Sequence, residues 1–170
     1  MSQRIFNSNT CRILFATCLS ALCLIALSSQ AATISVINTN DSGGGSPRQT
    51  LADSVDRDMI NFDSSLNGQT ITLTSGELLV NKNVTISGPG ANTLAVDANH
   101  ASRVFYIASS TDVTISGLTI TNGSTPTPNR GGGIFNDQGT LTVSSSTLSG
   151  NSCWYGGGIS NNWSGGAARR

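Results

Sequence analysis

One short segment of this 170-residue chain collects three side chains that could carry chemistry together. Asp97, His100 and Arg103 lie within seven residues and provide a carboxylate, an imidazole and a guanidinium cation. A polysaccharide lyase needs carboxylates that hold calcium and a basic residue that removes a proton. This segment is therefore the best candidate for a catalytic site, and the alternative is that its residues are solvated turn positions.

The remaining acids do not add a metal site to this segment. Asp112 and Asp137 occur singly, and no two acids occupy equivalent places in neighbouring repeats. The glycine-rich stretches 43–45, 131–133 and 156–158 lack the lysine or the strand-to-helix setting of a phosphate-binding loop. We expect no metal and no cofactor.

A second kind of site is indicated by aromatic residues near the end of the sequence. Trp154, Tyr155 and Trp163 are close together, and exposed rings of this kind stack on sugar faces or anchor a protein contact. The alternative is that they pack against further turns of the fold. Glycans and other cell-surface proteins are the expected partners.

The charge of the chain argues against nucleic-acid binding. Charged residues make up only 11% of the sequence, with nine basic and nine acidic side chains, and Lys82 is the only lysine. A protein that follows a phosphate backbone needs a basic stripe, which this sequence lacks.

Repeats at nearly fixed spacing show which elements must position these residues. The segment 84–88 (VTISG) returns at 113–117, and a related segment follows at 141–148. The segment 131–134 (GGGI) returns at 156–159. Alternating apolar and polar residues predict strands, and a repeat of 20 to 30 residues is typical of a β-solenoid, since one turn cannot bury its own apolar row. A β-sandwich is the alternative, but it does not require repeats.

The repeats also predict which side chains stack inside the solenoid. Ile86, Ile115 and Val143 should form one interior row, and Ile134 and Ile159 a second. Three asparagines are predicted at turn positions, where a side-chain amide bonds nearby backbone groups: Asn122, Asn136 and Asn151.

A helix is predicted before the first repeat. Ser46 suits the N-cap, Pro47 suits the first helical position, and residues 48–55 form a short amphipathic helix. Such a helix would cover the open end of the solenoid. We therefore expect a cap region at 32–68 and about four turns of β-helix at 69–170, truncated at the C-terminal end as the front of a longer protein.

Residues 1–31 predict an export signal. Arg4 and Arg12 are followed by an apolar run at 13–27, and small residues precede a cleavage point after Ala31. Because that run is shorter than the roughly 20 residues that span a bilayer, no membrane span is expected after cleavage. Cleavage also leaves Cys153 as the only cysteine, which excludes an intramolecular disulfide.

Several of these segments resemble the amino-terminal part of bacterial right-handed parallel β-helix surface proteins, of the polymorphic outer-membrane protein repeat type. The resemblance lies in residues 38–43, 46–52 and 60–73, and in the GGGIFN and LTVSSSTLSGNS segments that begin at Gly131 and Leu141. It implies an all-β, right-handed parallel β-helix with a pectin lyase-like fold, in a protein that is secreted or held at the cell surface or outer membrane.

The function expected from these observations is a non-enzymatic one. The chain is predicted to be an exported β-helix segment that acts as a structural stalk or an adhesin-like binding face. The alternatives are a polysaccharide-active enzyme of the same fold, similar to pectate lyases, and a truncated gene product without a function of its own.

Overall fold

The computed structural model describes residues 30–125 and 130–162, so the predicted signal at 1–31 lies almost entirely outside the described residues. The described residues form one helix, α1 (Pro47–Asp53), a 3-10 turn (Ser64–Leu66) and strands β1 (Thr33–Val36), β2 (Met59–Phe62), β3 (Gln69–Thr72), β4 (Leu78–Val80), β5 (Val84–Ser87), β6 (Leu94–Asp97), β7 (Phe105–Ile107), β8 (Asp112–Ser116), β9 (Thr119–Thr121), β10 (Ile134–Asp137), β11 (Thr140–Ser144), β12 (Thr147–Ser149) and β13 (Ile159–Asn162).

The strands form three parallel sheets that run along the solenoid. The first sheet has the order β1-β2-β5-β8-β11, the second β12-β9-β6-β3 and the third β13-β10-β7-β4. Each complete turn of the chain contributes one strand to each sheet, and β1, which is followed by α1, adds a fifth strand to the first sheet, in keeping with about five turns. The predicted right-handed parallel β-helix with a short N-terminal helix is confirmed.

The register of the strands aligns both predicted rows. Ile86 of β5 is paired with Ile115 of β8, which is paired with Val143 of β11. In the third sheet, Ile134 is paired with Ile159. Ile86, Ile115 and Ile134 are buried, as predicted, and full burial of such a side chain contributes about 1.5–3 kcal/mol. Val143 is only half-buried, and the prediction that Ile159 is interior is wrong, because its side chain is 38% exposed on the last described strand.

The two glycines of the repeated VTISG segment allow neighbouring turns to approach closely. A side chain at Gly88 would place its Cβ 2.3 Å from the carbonyl oxygen of Gly117. Gly117 also has φ +65°, a left-handed conformation that glycine adopts without strain. This contact explains why glycine recurs at the end of the repeat.

The asparagine predictions have different outcomes. Asn122 adopts φ 54° and occupies a turn, as predicted. The prediction for Asn136 is wrong, because this residue lies within β10 with its side chain buried. Its amide reaches out of the strand and bonds both the N–H and the carbonyl of Gly139. Asn151 lies between strands, and its side-chain oxygen accepts from Gly123 N on the preceding turn.

The helix forms at the predicted place and packs against β1 and β4. The Ser46 side chain accepts from Gln49 N and Pro47 opens the helix, as predicted. The helix ends at Asp53, two residues before the predicted end, because Ser54 is already extended with ψ 154°. Leu51 turns its side chain into the core.

Two cations attach this helix to the solenoid. Arg48 donates to the carbonyls of Gly76 and Glu77, just before β4, and its Nη2 lies 2.7 Å from Asp41 Oδ1. Lys82 donates to the carbonyls of Leu51, Ala52 and Ser54 at the other end of the helix. A cation is favourable there because the last carbonyls of a helix carry partial negative charge.

Among the described residues, the structure contains no helix long and apolar enough to cross a membrane.

Candidate binding face on the third sheet

The outer surface of the third sheet carries a row of side chains that changes along the solenoid axis. The register places Leu79 of β4, Tyr106 of β7, Phe135 of β10 and Ser160 of β13 in one line. Strand alternation sends these side chains outward, because their neighbours Leu78, Phe105 and Ile134 are buried. Leu79 is 51% exposed, and the two rings are half-buried. We call this line the aromatic row.

Arg103 lies against both rings of the aromatic row. Its guanidinium carbon is 5.5 Å from the centre of the Tyr106 ring and 5.1 Å from that of Phe135. The rings contact each other edge to face, with centres 5.5 Å apart. On the other side, Arg103 Nε lies 2.5 Å from Glu77 Oε2. With 12% of its side chain exposed, Arg103 is held between rings and carboxylate, and it fixes their positions.

Asp137 fixes the opposite edge of the row. Its Oδ2 accepts from the Tyr106 hydroxyl at 2.8 Å, and its Oδ1 accepts from Asn162 Nδ2 at 2.7 Å. These two hydrogen bonds stabilise the carboxylate and hold the pKa of Asp137 below its ordinary value. The same bond keeps the proton on Tyr106, so the pKa of this phenol is raised. Both groups are therefore preorganised at neutral pH.

A corner of exposed residues adjoins this row. Arg130 and Tyr155 lie on neighbouring turns and form an isolated parallel β-bridge. The Arg130 guanidinium carbon lies 5.6 Å from the centre of the Tyr155 ring. Trp154 contacts Tyr155 edge to face, with ring centres 6.4 Å apart. Trp154 is 69% and Tyr155 54% exposed, while Trp163 lies outside the described residues. We call Arg130, Trp154 and Tyr155 the aromatic corner.

The segment that holds the candidate catalytic residues is divided between two surfaces. Asp97 ends β6 in the second sheet, and its oxygens accept from Asn99 N and Asn122 Nδ2. His100 is exposed at a left-handed turn position. Arg103 turns instead to the third sheet. In residues 30–125 and 130–162, no hydrogen bond or ion pair joins any two of these three side chains.

The sequence did not identify four of the polar and aromatic partners that complete the third-sheet face: Glu77, Tyr106, Phe135 and Asn162. It indicates Asp137 only as a single acid, not as the partner of Tyr106. One signal could have found the rings, because Tyr106 and Phe135 are 29 residues apart, the same spacing that separates the two VTISG segments. Both rings also lie next to apolar residues that alternate in strand fashion. The described part of the chain contains no group of three His, Cys, Asp or Glu side chains placed to hold a metal ion.

The third-sheet face thus combines rings, fixed carboxylates and amides on a rigid scaffold. No protein family, curated protein or solved structure matches this chain. Such a surface can bind a ligand that offers both apolar patches and hydrogen-bonding groups at repeated intervals.

Proposed function

We propose that the chain is an exported, non-enzymatic β-helix segment of a cell-surface or secreted protein, and that the third sheet is its adhesin-like binding face for glycans. The observation that carries this proposal is the aromatic row, in which Arg103 holds Tyr106 and Phe135 in place at the surface. A ligand that binds such a row meets side chains that are already ordered, so little conformational entropy is lost.

The geometry of a solenoid favours an extended ligand. Successive turns rise by about 4.8 Å, so a chain that follows the axis meets one outward residue of the aromatic row at each turn. Sugar rings present apolar C–H faces to aromatic side chains and hydroxyls to polar ones. The carboxylate of Asp137 and the amide of Asn162 lie at one edge of the row to receive those hydroxyls.

The ionisation of Asp137 supports a binding role for this residue. A general acid at neutral pH needs a carboxyl group whose pKa is raised. Asp137 has a lowered pKa, because Asn162 and Tyr106 donate to it. Asp137 is therefore suited to accept hydrogen bonds from a ligand and not to donate a proton to one.

A matched pair of double variants tests the proposal. Tyr106→Ala with Phe135→Ala removes the rings from the third sheet, whereas Thr114→Ala with Thr142→Ala removes outward side chains from two turns of the first sheet. Affinity electrophoresis through gels that contain dextran, galactan, dextran sulfate or polygalacturonate measures binding. Circular dichroism verifies that both double variants are folded.

We expect at least one polysaccharide to retard the wild-type chain and the first-sheet variant equally. Retardation of the ring variant should correspond to binding about tenfold weaker, the effect of losing roughly 1.4 kcal/mol of stacking. Equal retardation of both variants, or no retardation by any polysaccharide, would contradict the proposal. Release of unsaturated sugars from polygalacturonate would favour a lyase instead.

A further inference from the structure

The aromatic corner contains a cation, the Arg130 guanidinium group, that plays no part in the binding face proposed above. Arg130 is exposed, and in the described part of the chain no carboxylate lies within ion-pair distance of it. Arg103, by contrast, is paired with Glu77. The main-chain carbonyl of Arg130 accepts from Arg103 Nη1 at 3.1 Å, so the corner is joined directly to the aromatic row.

Arg130 is also positioned for recognition by its stacking partner. The Tyr155 ring lies beside the guanidinium group, which restricts the arginine and leaves its N–H groups to solvent. A guanidinium group binds carboxylates and sulfates through two parallel hydrogen bonds. Next to it, Trp154 offers the most exposed of the large apolar surfaces among the described residues.

We propose that the aromatic corner binds an anionic sugar unit, carboxylated or sulfated, with the anion on Arg130 and the sugar ring on Trp154. This inference rests on the proposed function, because the corner would select one class of the glycans that the third-sheet face binds.

The distribution of charge favours an anionic ligand over a neutral one. Asp137, the acid nearest in sequence to this corner, follows Arg130 at the opposite end of β10, and both of its oxygens accept from protein groups. Among the described residues, no negative side chain pairs with Arg130, so a ligand anion can pair with it. A neutral sugar gains the stacking contact but no ionic interaction with this exposed, hydrated guanidinium group.

Polysaccharides with matched backbones separate charge from shape. The wild-type chain, Arg130→Gln, Arg130→Lys and the control Arg57→Gln are titrated with dextran and dextran sulfate, and with polygalacturonate and its methyl ester. Arg57 is a suitable control because it is also an exposed arginine, and it lies just before β2 of the first sheet, away from the third sheet in sequence. Calorimetry at two salt concentrations gives the dissociation constants.

We expect the charged member of at least one pair to bind tenfold or more tightly than its neutral member, and more weakly at higher salt. Arg130→Gln should bind the charged member about tenfold more weakly than the wild type. Arg130→Lys should lose only part of this affinity, because lysine keeps the charge but not the two parallel hydrogen bonds. Arg57→Gln should bind as the wild type does. The polygalacturonate and dextran sulfate arms distinguish carboxylate from sulfate.

Three outcomes overturn the inference and have different meanings. If neutral and charged members bind equally and Arg130→Gln has no effect, the corner does not select anions, while glycan binding by the third sheet stands. If no polysaccharide binds, the proposed function fails together with the inference. Arg130→Gln that binds like the wild type, with a clear preference for the anionic member, places the anion site elsewhere.

Discussion

The first and third sheets have the same parallel architecture, but their outer faces differ in one respect. On the first sheet, the outward residue is threonine on three successive turns, Thr85, Thr114 and Thr142, and it is Met59 on the turn before them. On the third sheet, the outward residue changes from leucine to tyrosine, phenylalanine and serine.

The difference shows how a solenoid separates structure from chemistry. A constant row satisfies strand pairing and solubility with one residue type, so the repeat needs no variation there. A row that varies produces local contacts that no other turn has, such as Arg103 on two rings. In this protein the regular sheet acts as a scaffold, and the irregular sheet carries the candidate site.

The largest effects should come from the interior, which both sheets share. Ile115 of the first sheet and Phe105 of the third are 0% and 2% exposed. Ile115→Ala and Phe105→Ala should each lower the free energy of unfolding by about 3–5 kcal/mol, because each leaves a cavity. Urea denaturation measures this loss.

The outward neighbours provide the control for these interior variants. Thr114→Ala should cost less than about 0.5 kcal/mol because it is a surface change, and Tyr106→Ala should cost about 1 kcal/mol because it loses a hydrogen bond and a ring contact. Equal costs for Thr114→Ala and Ile115→Ala would contradict the assignment of inner and outer faces.

Loss of the contacts that attach α1 should give the next largest effect on stability. These contacts lie just before β4 of the third sheet. Arg48→Met removes the donors to Gly76 O and Glu77 O and leaves the Asp41 carboxylate, which is 6% exposed, without its cation. We expect unfolding to become easier by about 2–3 kcal/mol. Arg57→Met, which changes an exposed arginine just before β2 of the first sheet, should have little effect on stability. An equal loss of stability in both variants would show that Arg48 does not attach α1 to the solenoid.

Acid should lower the stability of the protein, because two carboxylates near the first turns of these sheets have lowered pKa values. Burial alone would raise the pKa of Asp41, but donation from Ser75, Arg48 and Thr74 outweighs it and lowers the pKa. At the first sheet, donation from Val55 N and Ala32 N lowers the pKa of Asp58.

Because these folded-state pKa values are below the unfolded one, the stabilisation is fully present above about pH 4 and is lost as the pH falls through the folded values. The urea midpoint should therefore decrease below that pH. Asp41→Asn and Asp58→Asn should each make the decrease less steep, and an unchanged pH profile in both variants would refute the explanation.

The smallest effect should be spectroscopic and confined to the third sheet. The hydrogen bond to Asp137 raises the pKa of Tyr106, so Asp137→Asn should move its phenolate absorbance to lower pH. Tyr155→Phe leaves Tyr106 as the only tyrosine and provides the background for the titration. A titration that does not move would show that Asp137 does not order the ring.

The sequence predicted the parts of this structure that are repeated. Ile86, Ile115 and Val143 could be aligned because the VTISG segment recurs, and the helix could be placed because Ser46 and Pro47 form a known start signal.

The third-sheet face could not be found in this way. Tyr106 and Asp137 are 31 residues apart and differ in type, and only the pairing of β7 with β10 brings them together. For the same reason, Arg103 was grouped with Asp97 by sequence although its contacts are with Glu77.

The position of Lys82 has a practical consequence for anyone who attaches this protein to a solid support. The chain contains no other lysine, and the ammonium group of this one is engaged by three backbone carbonyls at the end of α1. Amine coupling of the folded protein is therefore directed away from position 82 and toward the α-amino group of its first residue. The third sheet stays unmodified by such coupling because it contains no primary amine.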